Sequence, residues 1–244
     1  MTEVKSERVV IISGATKGLG RALALDFARN GFRIVGLYHS DHEAATEVRT
    51  QFLAEQLNGV FIQQDITNED FAAVHPFLDL PEAAELTLIN NACANFLPQP
   101  LHLLKWSDFQ SSFDVAVRGT WNCTQLVLRP MLKARRGTIV NVLSDTVNGS
   151  PPKGFAAYVT AKYALQGLTR ALASEYSSRG LRVFSVSPGY METALTSAWD
   201  ERLQTAVRDS RKDGAQNPGT VAQAIRHLIE TPETSGNGED YRIE

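Results

Sequence analysis

Cysteine is scarce: Cys93 and Cys123 are the only two in a chain of 244 residues. Two thiols cannot build a disulfide framework, and such sparse use points to a reducing compartment. An excess of positive charge is also lacking. Lys and Arg number 24 against 27 Asp and Glu, for a net charge of -3, which leaves no electrostatic footprint for nucleic acid. Long apolar runs are missing too. The opening MTEVKSERVVII has acidic residues early and only four consecutive apolar residues before Ser13, so it reads neither as a signal peptide nor as a membrane span. There is no Pro/Ser-rich linker, low-complexity tract or repeat of fixed length. A single domain over residues 1–244 is expected, placed in the cytoplasm and without a metal site. Hydrophobic residues make up 43%, enough for a large core.

What is present is an alternation. Short apolar runs at Val9–Ser13, Phe32–Tyr38, Val60–Gln64, Leu86–Asn90, Thr138–Leu143 and Leu181–Ser187 read as strands, several apolar throughout, as strands buried on both faces should be. Between them, helical periodicity occupies Leu19–Asn30, Glu43–Gln56, Trp106–Arg135 and Phe155–Arg179, with Gly31 and Gly180 as C-terminal stops. This predicts an α/β fold: a Rossmann-type, doubly wound parallel sheet of about seven strands with helices on both faces. Residues Thr193–Pro218 break the rhythm with mixed charge and no strand, and are expected to form a substrate lid.

After the first strand, SGATKGLG places Gly14, Gly18 and Gly20 just before a helix. Glycines allow a tight turn and close approach of backbone to a pyrophosphate, and the helix start offers unpaired N–H groups to it. A glycine trio also suits an ordinary strand-to-helix turn. The second strand ends in Tyr38, His39 and Ser40, without the carboxylate that binds a ribose 2′-hydroxyl, and Lys17 lies inside the glycine loop. A 2′-phosphate near Lys17 is attracted by up to ~4 kcal/mol per charge pair at ~4 Å before desolvation and screening. NADPH is therefore expected over NADH, unless Lys17 is only a solvated loop charge.

In FAAYVTAKYAL, Tyr158 and Lys162 are four apart and share a helix face, whereas Tyr163 diverges and is expected to pack. A phenol with pKa ~10 is a poor acid or base at neutral pH. A lysine cation at ~5–6 Å favours phenolate by about 3 kcal/mol, which brings it into range for proton transfer. The spacing alone also fits a plain amphipathic helix. Ser144 stands just past one buried strand, and Pro188-Gly189 past another. The glycine loop, Asn90-Asn91, Ser144 and Pro188-Gly189 thus share the strand-end edge where open parallel sheets bind ligands. Ser144 there either holds a carbonyl oxygen beside Tyr158 or caps the following segment.

These motifs together resemble the short-chain dehydrogenase/reductase family, in its single-domain branch, over about Arg8 to Glu244. SGATKGLG is similar to the family's TGxxxGxG, with Ser13 for the threonine; NNAC is similar to NNAG; PGYMET fits PGxxxT. The resemblance implies catalysis by Ser144, Tyr158 and Lys162. It implies a cofactor site of Gly14, Thr16, Lys17, Gly18, Leu19, Gly20, Tyr38, His39, Asp65, Ile66, Asn91, Ala92, Cys93, Tyr158, Lys162, Pro188, Gly189, Met191 and Thr193. Asp65 would contact adenine, and Thr193 the nicotinamide carboxamide. Two positions depart from the pattern: Cys93 replaces the last glycine of NNAG, and Ala116 stands where the family has an asparagine near the lysine. Asn122 lies on a different part of that helix. Cys93 reads as a small packed thiol rather than a nucleophile.

Within the family the layout most resembles beta-ketoacyl carrier-protein reductases. Arg135 and Arg179 align with two arginines that dock the acidic carrier there, though arginines at helix ends also suit the helix dipole without a partner. Three readings stay open: reduction of a carrier-bound 3-oxoacyl thioester in fatty-acid or polyketide-like biosynthesis, reduction of a free small ketone, and a weakly active cofactor-binding subunit permitted by Ala116. The resemblance also implies a homo-dimer or homo-tetramer built on the two long helices.

Overall fold

A computed structural model of the chain describes residues 7–81, 83–209 and 214–243. Seven strands, β1 (Arg8–Ser13), β2 (Arg33–Tyr38), β3 (Gly59–Gln63), β4 (Glu85–Asn90), β5 (Gly137–Val142), β6 (Leu181–Pro188) and β7 (Asp240–Ile243), form one sheet in the order β3-β2-β1-β4-β5-β6-β7. Every pairing is parallel. Ile11 lies opposite Val35 on one side and Ile89 lies opposite Val140 further along, and β1 pairs with β4 across the centre. The chain therefore winds outward from β1 to β3, returns, and winds outward again, so the switch point falls between β1 and β4, where such folds bind ligands.

The apolar runs explain this arrangement. Successive residues of a strand point to opposite faces. Val10 and Ile12 pack on one face with Leu23 and Phe27 of α1 (Gly18–Arg29) and Ile225 of α7 (Pro218–Glu230), while Val9 and Ile11 pack on the other with Val127, Met131 and Leu172. Phe27, Phe184, Ile11 and Ile12 are fully buried, each stabilising the fold by about 1.5–3 kcal/mol relative to exposure.

The remaining helices are α2 (His42–Ala54), α3 (Trp106–Phe113), α4 (Thr120–Ala134), α5 (Ala156–Tyr176) and α6 (Glu201–Asp209). The predicted continuous helix over 106–135 is instead α3 and α4 joined by a π-helical stretch, Asp114–Gly119. The wider i→i+5 turn sits at Ala116, and such stretches concentrate at functional sites. The expected lid carries an element that its mixed charge concealed, α6 with Val207 buried. Its residues 210–213 lie outside the described residues. Helix α7 and strand β7 also went unassigned as segments, although Asn217 caps α7 through Gly219 N–H at 2.7 Å and Pro218 opens it, a standard helix start. Gly31 and Gly180 adopt φ of 81° and 87°, as their role as stops requires.

Candidate active site

The carboxyl ends of β1, β4, β5 and β6 open into one cleft of about 1270 Å³. Every residue assigned above to cofactor or catalysis lines it, from Gly14 in the first turn to Thr193 beyond β6. The serine that replaces the family threonine keeps a hydroxyl where one is needed: Ser13 Oγ accepts from the Asn91 and Ala92 N–H groups, both at 3.1 Å. Asn91 returns the contact through Nδ2, to the carbonyls of Ser13 at 3.0 Å and Gly14 at 3.2 Å. The glycine loop is thereby fastened to the end of β4.

That loop suits a dinucleotide. A Cβ on Gly20 would lie 1.9 Å from the Gly14 carbonyl oxygen, and Gly14 itself has φ +68° beside Ala92 Cα. The loop can be this close only without side chains. A Cβ on Gly18 would meet Thr193 at 3.3 Å, so PGYMET folds back across the loop. Lys17 at the N-cap of α1 makes no side-chain cap bond, which leaves first-turn N–H groups for an anion. Beyond the loop, Asn122 Nδ2 donates to the Ile66 carbonyl at 2.9 Å and the Asn68 carbonyl at 3.3 Å. It therefore braces the Asp65–Ile66 wall and does not substitute for the missing asparagine.

The charge near the end of β2 differs from the expectation. Tyr38, His39 and Ser40 indeed bring no carboxylate, but Asp41, one residue on, caps α2 by accepting from Ala44 N–H at 2.9 Å and forms an ion pair with Lys17. Lys17 and the Ala44 N–H hold the Asp41 carboxyl below its usual range. Lys17 is therefore not a free cation awaiting phosphate. His39 Nε2 stands 3.8 Å from Asp65 Oδ2, and Asp65 also accepts from the Thr67 N–H and hydroxyl at 2.9 and 2.8 Å.

At the other end of the cleft the catalytic candidates converge. Ser144 lines the cleft beside Tyr158 and accepts from Thr146 N–H at 3.4 Å, so its capping role is in place. Lys162 is buried, donates to the Val142 carbonyl at 2.7 Å and lies 5.7 Å from the Tyr158 ring centre. The expected lowering of the phenol pKa does not emerge from the chain's own groups. Burial, followed by the nearby Cys93, pushes Tyr158 well above the usual phenol range, against a smaller downward pull from Ser144. Burial likewise lowers Lys162, because a low-dielectric setting disfavours each charged form. Tyr163 is 47% exposed and donates to the Val147 carbonyl at 2.8 Å, so it is a surface brace rather than a packing ring.

Cys93 fits without disturbing the cleft. Its thiol contacts the Ala94 carbonyl at 3.4 Å, and burial raises its pKa against the pull of Lys162, which keeps it a thiol and a poor nucleophile. Behind it, a void of about 10 Å³ is bounded by Cys93, Ser112, Ala116 and Lys162, the size of one water.

Sequence reasoning missed the aromatic wall. Phe96 stacks on Tyr158 at 4.7 Å and 14°, and Phe155 and Trp199 meet Phe96 edge-on at 5.2 and 5.4 Å. Trp199 Nε1 donates to the Phe96 carbonyl at 3.2 Å. These rings come from separate segments, so no local pattern announced them. The arginines Arg135 and Arg179 precede β5 and β6. Their turns touch, since a Cβ on Gly180 would lie 2.1 Å from the Arg135 carbonyl oxygen, but at the sheet edge opposite the cleft.

The short chain dehydrogenase family model matches residues 8–204. The chain belongs to this family. A 3-oxoacyl-[acyl-carrier-protein] reductase of Synechocystis sp. is 30% identical over 226 residues, covering 92% of this chain and 90% of its own. The oxidoreductase UcpA of Salmonella typhimurium is 32% identical over 231 residues, covering 89% and 80%. In three dimensions a 3-ketoacyl-(acyl-carrier-protein) reductase from Brucella melitensis, complexed with NADH, superposes with a TM-score of 0.84 at 25% identity, over 98% of this chain and 97% of its own. This short-chain dehydrogenase is thus an oxidoreductase with a dinucleotide site and a small-molecule cleft. Among the described residues no helix is long and apolar enough to cross a membrane.

Proposed function

We propose that this protein reduces a ketone to a secondary alcohol, with Ser144, Tyr158 and Lys162 as its catalytic groups. The observation that carries this reading is the convergence of Ser144, Tyr158 and Lys162, with Lys162 Nζ 5.7 Å from the Tyr158 ring centre, on the cleft that also holds the glycine cradle. A bound reduced nicotinamide supplies the hydride. Ser144 and Tyr158 hold the substrate carbonyl oxygen. As that oxygen gains charge, Tyr158 gives it the phenol proton, while Lys162 orients the ribose side of the cleft. The glycine loop would seat the pyrophosphate, and Thr193 would hold the nicotinamide end.

NADPH remains the favoured cofactor in this reading, because Tyr38-His39-Ser40 offer no carboxylate and Lys17 can turn from Asp41 to a 2′-phosphate. Asp41 weakens the preference, since it competes for Lys17.

The names of the relatives support a 3-oxoacyl thioester substrate, with Arg135 and Arg179 docking an acidic carrier. The aromatic wall, and the position of both arginines across the sheet from the cleft, favour a second reading, a free ketone. Cofactor oxidation with an acetoacetyl thioester and a ketone panel separates them. If Arg135→Glu with Arg179→Glu impairs only carrier-bound substrate, the docking reading stands; equal loss on carrier-bound and free thioester removes it. Phe113, Trp121 and Tyr163 expose 37%, 49% and 47% of their surface on the helical stretch 106–134 and on α5, which supports assembly into a homo-dimer or homo-tetramer.

A further inference from the structure

Four aromatic side chains gather at Tyr158 from separate parts of the chain. Phe96 follows β4, Phe155 opens α5, Tyr190 follows β6, and Trp199 precedes α6. Phe96 and Phe155 meet Tyr158 directly, and the rings contact one another: Phe155 and Trp199 are edge-on at 5.2 Å and 80°, and Tyr190 and Trp199 are tilted at 6.2 Å. All four line the cleft. Within this wall the Tyr190 hydroxyl is buried and has no hydrogen-bond partner among the described residues. A buried hydroxyl without a partner is uncommon and calls for an explanation.

We propose that this wall selects a flat aromatic ketone that carries a second oxygen, with the aryl ring seated among Phe96, Phe155 and Trp199 and the second oxygen meeting the Tyr190 hydroxyl. The inference rests on the ketone-reductase reading and names its substrate class. Aromatic rings prefer offset-stacked or edge-on neighbours, so an aryl ligand that displaces Phe96 or inserts beside it regains the contacts it breaks. A saturated ring or an acyl chain does not. Ligand pockets are mostly apolar and take their specificity from a few placed polar groups. Among the described residues that line the cleft, the Tyr190 hydroxyl within the ring cluster and Thr146 Oγ1 beside Ser144 are the buried hydroxyls lacking a partner, and Tyr190 is the one set among the aromatic rings. The thioester and amide groups of a carrier arm would find few donors along these rings.

The test compares meta-hydroxyacetophenone, acetophenone, cyclohexyl methyl ketone and an acetoacetyl thioester as substrates for the purified full chain with NADPH and with NADH. The expected order of kcat/KM places hydroxyacetophenone first, then acetophenone, each step roughly tenfold or less, and cyclohexyl methyl ketone and the thioester below both. Trp199→Leu and Phe96→Leu should erase the aryl preference while cofactor affinity holds, and Tyr190→Phe should bring the ratio of hydroxyacetophenone to acetophenone near one. Equal turnover of the aryl and cyclohexyl ketones, or an aryl preference that survives both wall substitutions, overturns the proposal. If wild type turns over no ketone, the reductase reading fails on its own, and quenching of tryptophan fluorescence then decides the subsite. Saturable quenching by hydroxyacetophenone that Trp199→Leu removes supports it, and no quenching overturns it.

Discussion

At Lys17 and Asp41 two opposite charges share the adenosine end of the cleft, the first about half exposed and the second more than a third. An exposed pair of this kind contributes little, so the cofactor preference is expected to be soft. Asp41→Asn frees Lys17 and should raise the NADPH-to-NADH ratio of kcat/KM by up to ~5-fold; Lys17→Ala should lower it by a similar factor. Opposite or null shifts in steady-state kinetics would remove both residues from cofactor choice. At Tyr158 the sign of the pKa change makes a second prediction. Because burial raises the phenol, it stays protonated across neutral and mildly alkaline pH, which suits proton donation. Ketone reduction should therefore be flat there and fall only at higher pH, whereas alcohol oxidation, which needs phenolate, should climb throughout. Initial rates in both directions against pH check this. Tyr158, Lys162 and Ser144 were legible because helix spacing and strand ends are local features. Asp41 was not, although it lies next to Ser40 in the sequence: its pairing with Lys17 is a contact between two loops. The sign of the Tyr158 shift was hidden for a similar reason, since burial is a property of the packed site.

Helix α1 and its loop were readable from glycines and periodicity, and they make a sharp element-scale prediction. A Cβ on Gly20 would stand only 1.9 Å from the Gly14 carbonyl oxygen, so Gly20→Ala must shift the loop. It should abolish dinucleotide binding by calorimetry and cost about 1–3 kcal/mol of stability. The π-helical stretch Asp114–Gly119 was not readable, because no residue type marks where a helix widens to an i→i+5 turn. Ala116 within it is 6% exposed beside a void of only about 10 Å³. Restoring the family asparagine by Ala116→Asn is therefore expected to overpack the site and lower stability by about 1–3 kcal/mol, seen as a fall in Tm, rather than to raise turnover. A faster enzyme with unchanged Tm would show that the missing amide limits the rate.

Over the whole molecule the alternation of apolar runs and helical segments carried the fold, since a parallel sheet buried on both faces leaves a clear trace in sequence. The gathering of Phe96, Phe155, Tyr190 and Trp199 left none, because residues far apart in the chain meet only through the topology. Assembly is expected to use the exposed rings of the long helices. Trp121→Glu should halve the mass measured by light scattering if Trp121 lies at that interface, and an unchanged mass would place the contact elsewhere. The central claim is that Tyr158 gives the proton in cofactor-dependent ketone reduction. Its most direct test is the rate of NAD(P)H oxidation with ketone substrate by wild type and by Tyr158→Phe, alongside the cofactor Kd of each. The account predicts a loss of roughly 100- to 10,000-fold in turnover with Kd nearly unchanged; a Tyr158→Phe enzyme as fast as wild type would contradict it.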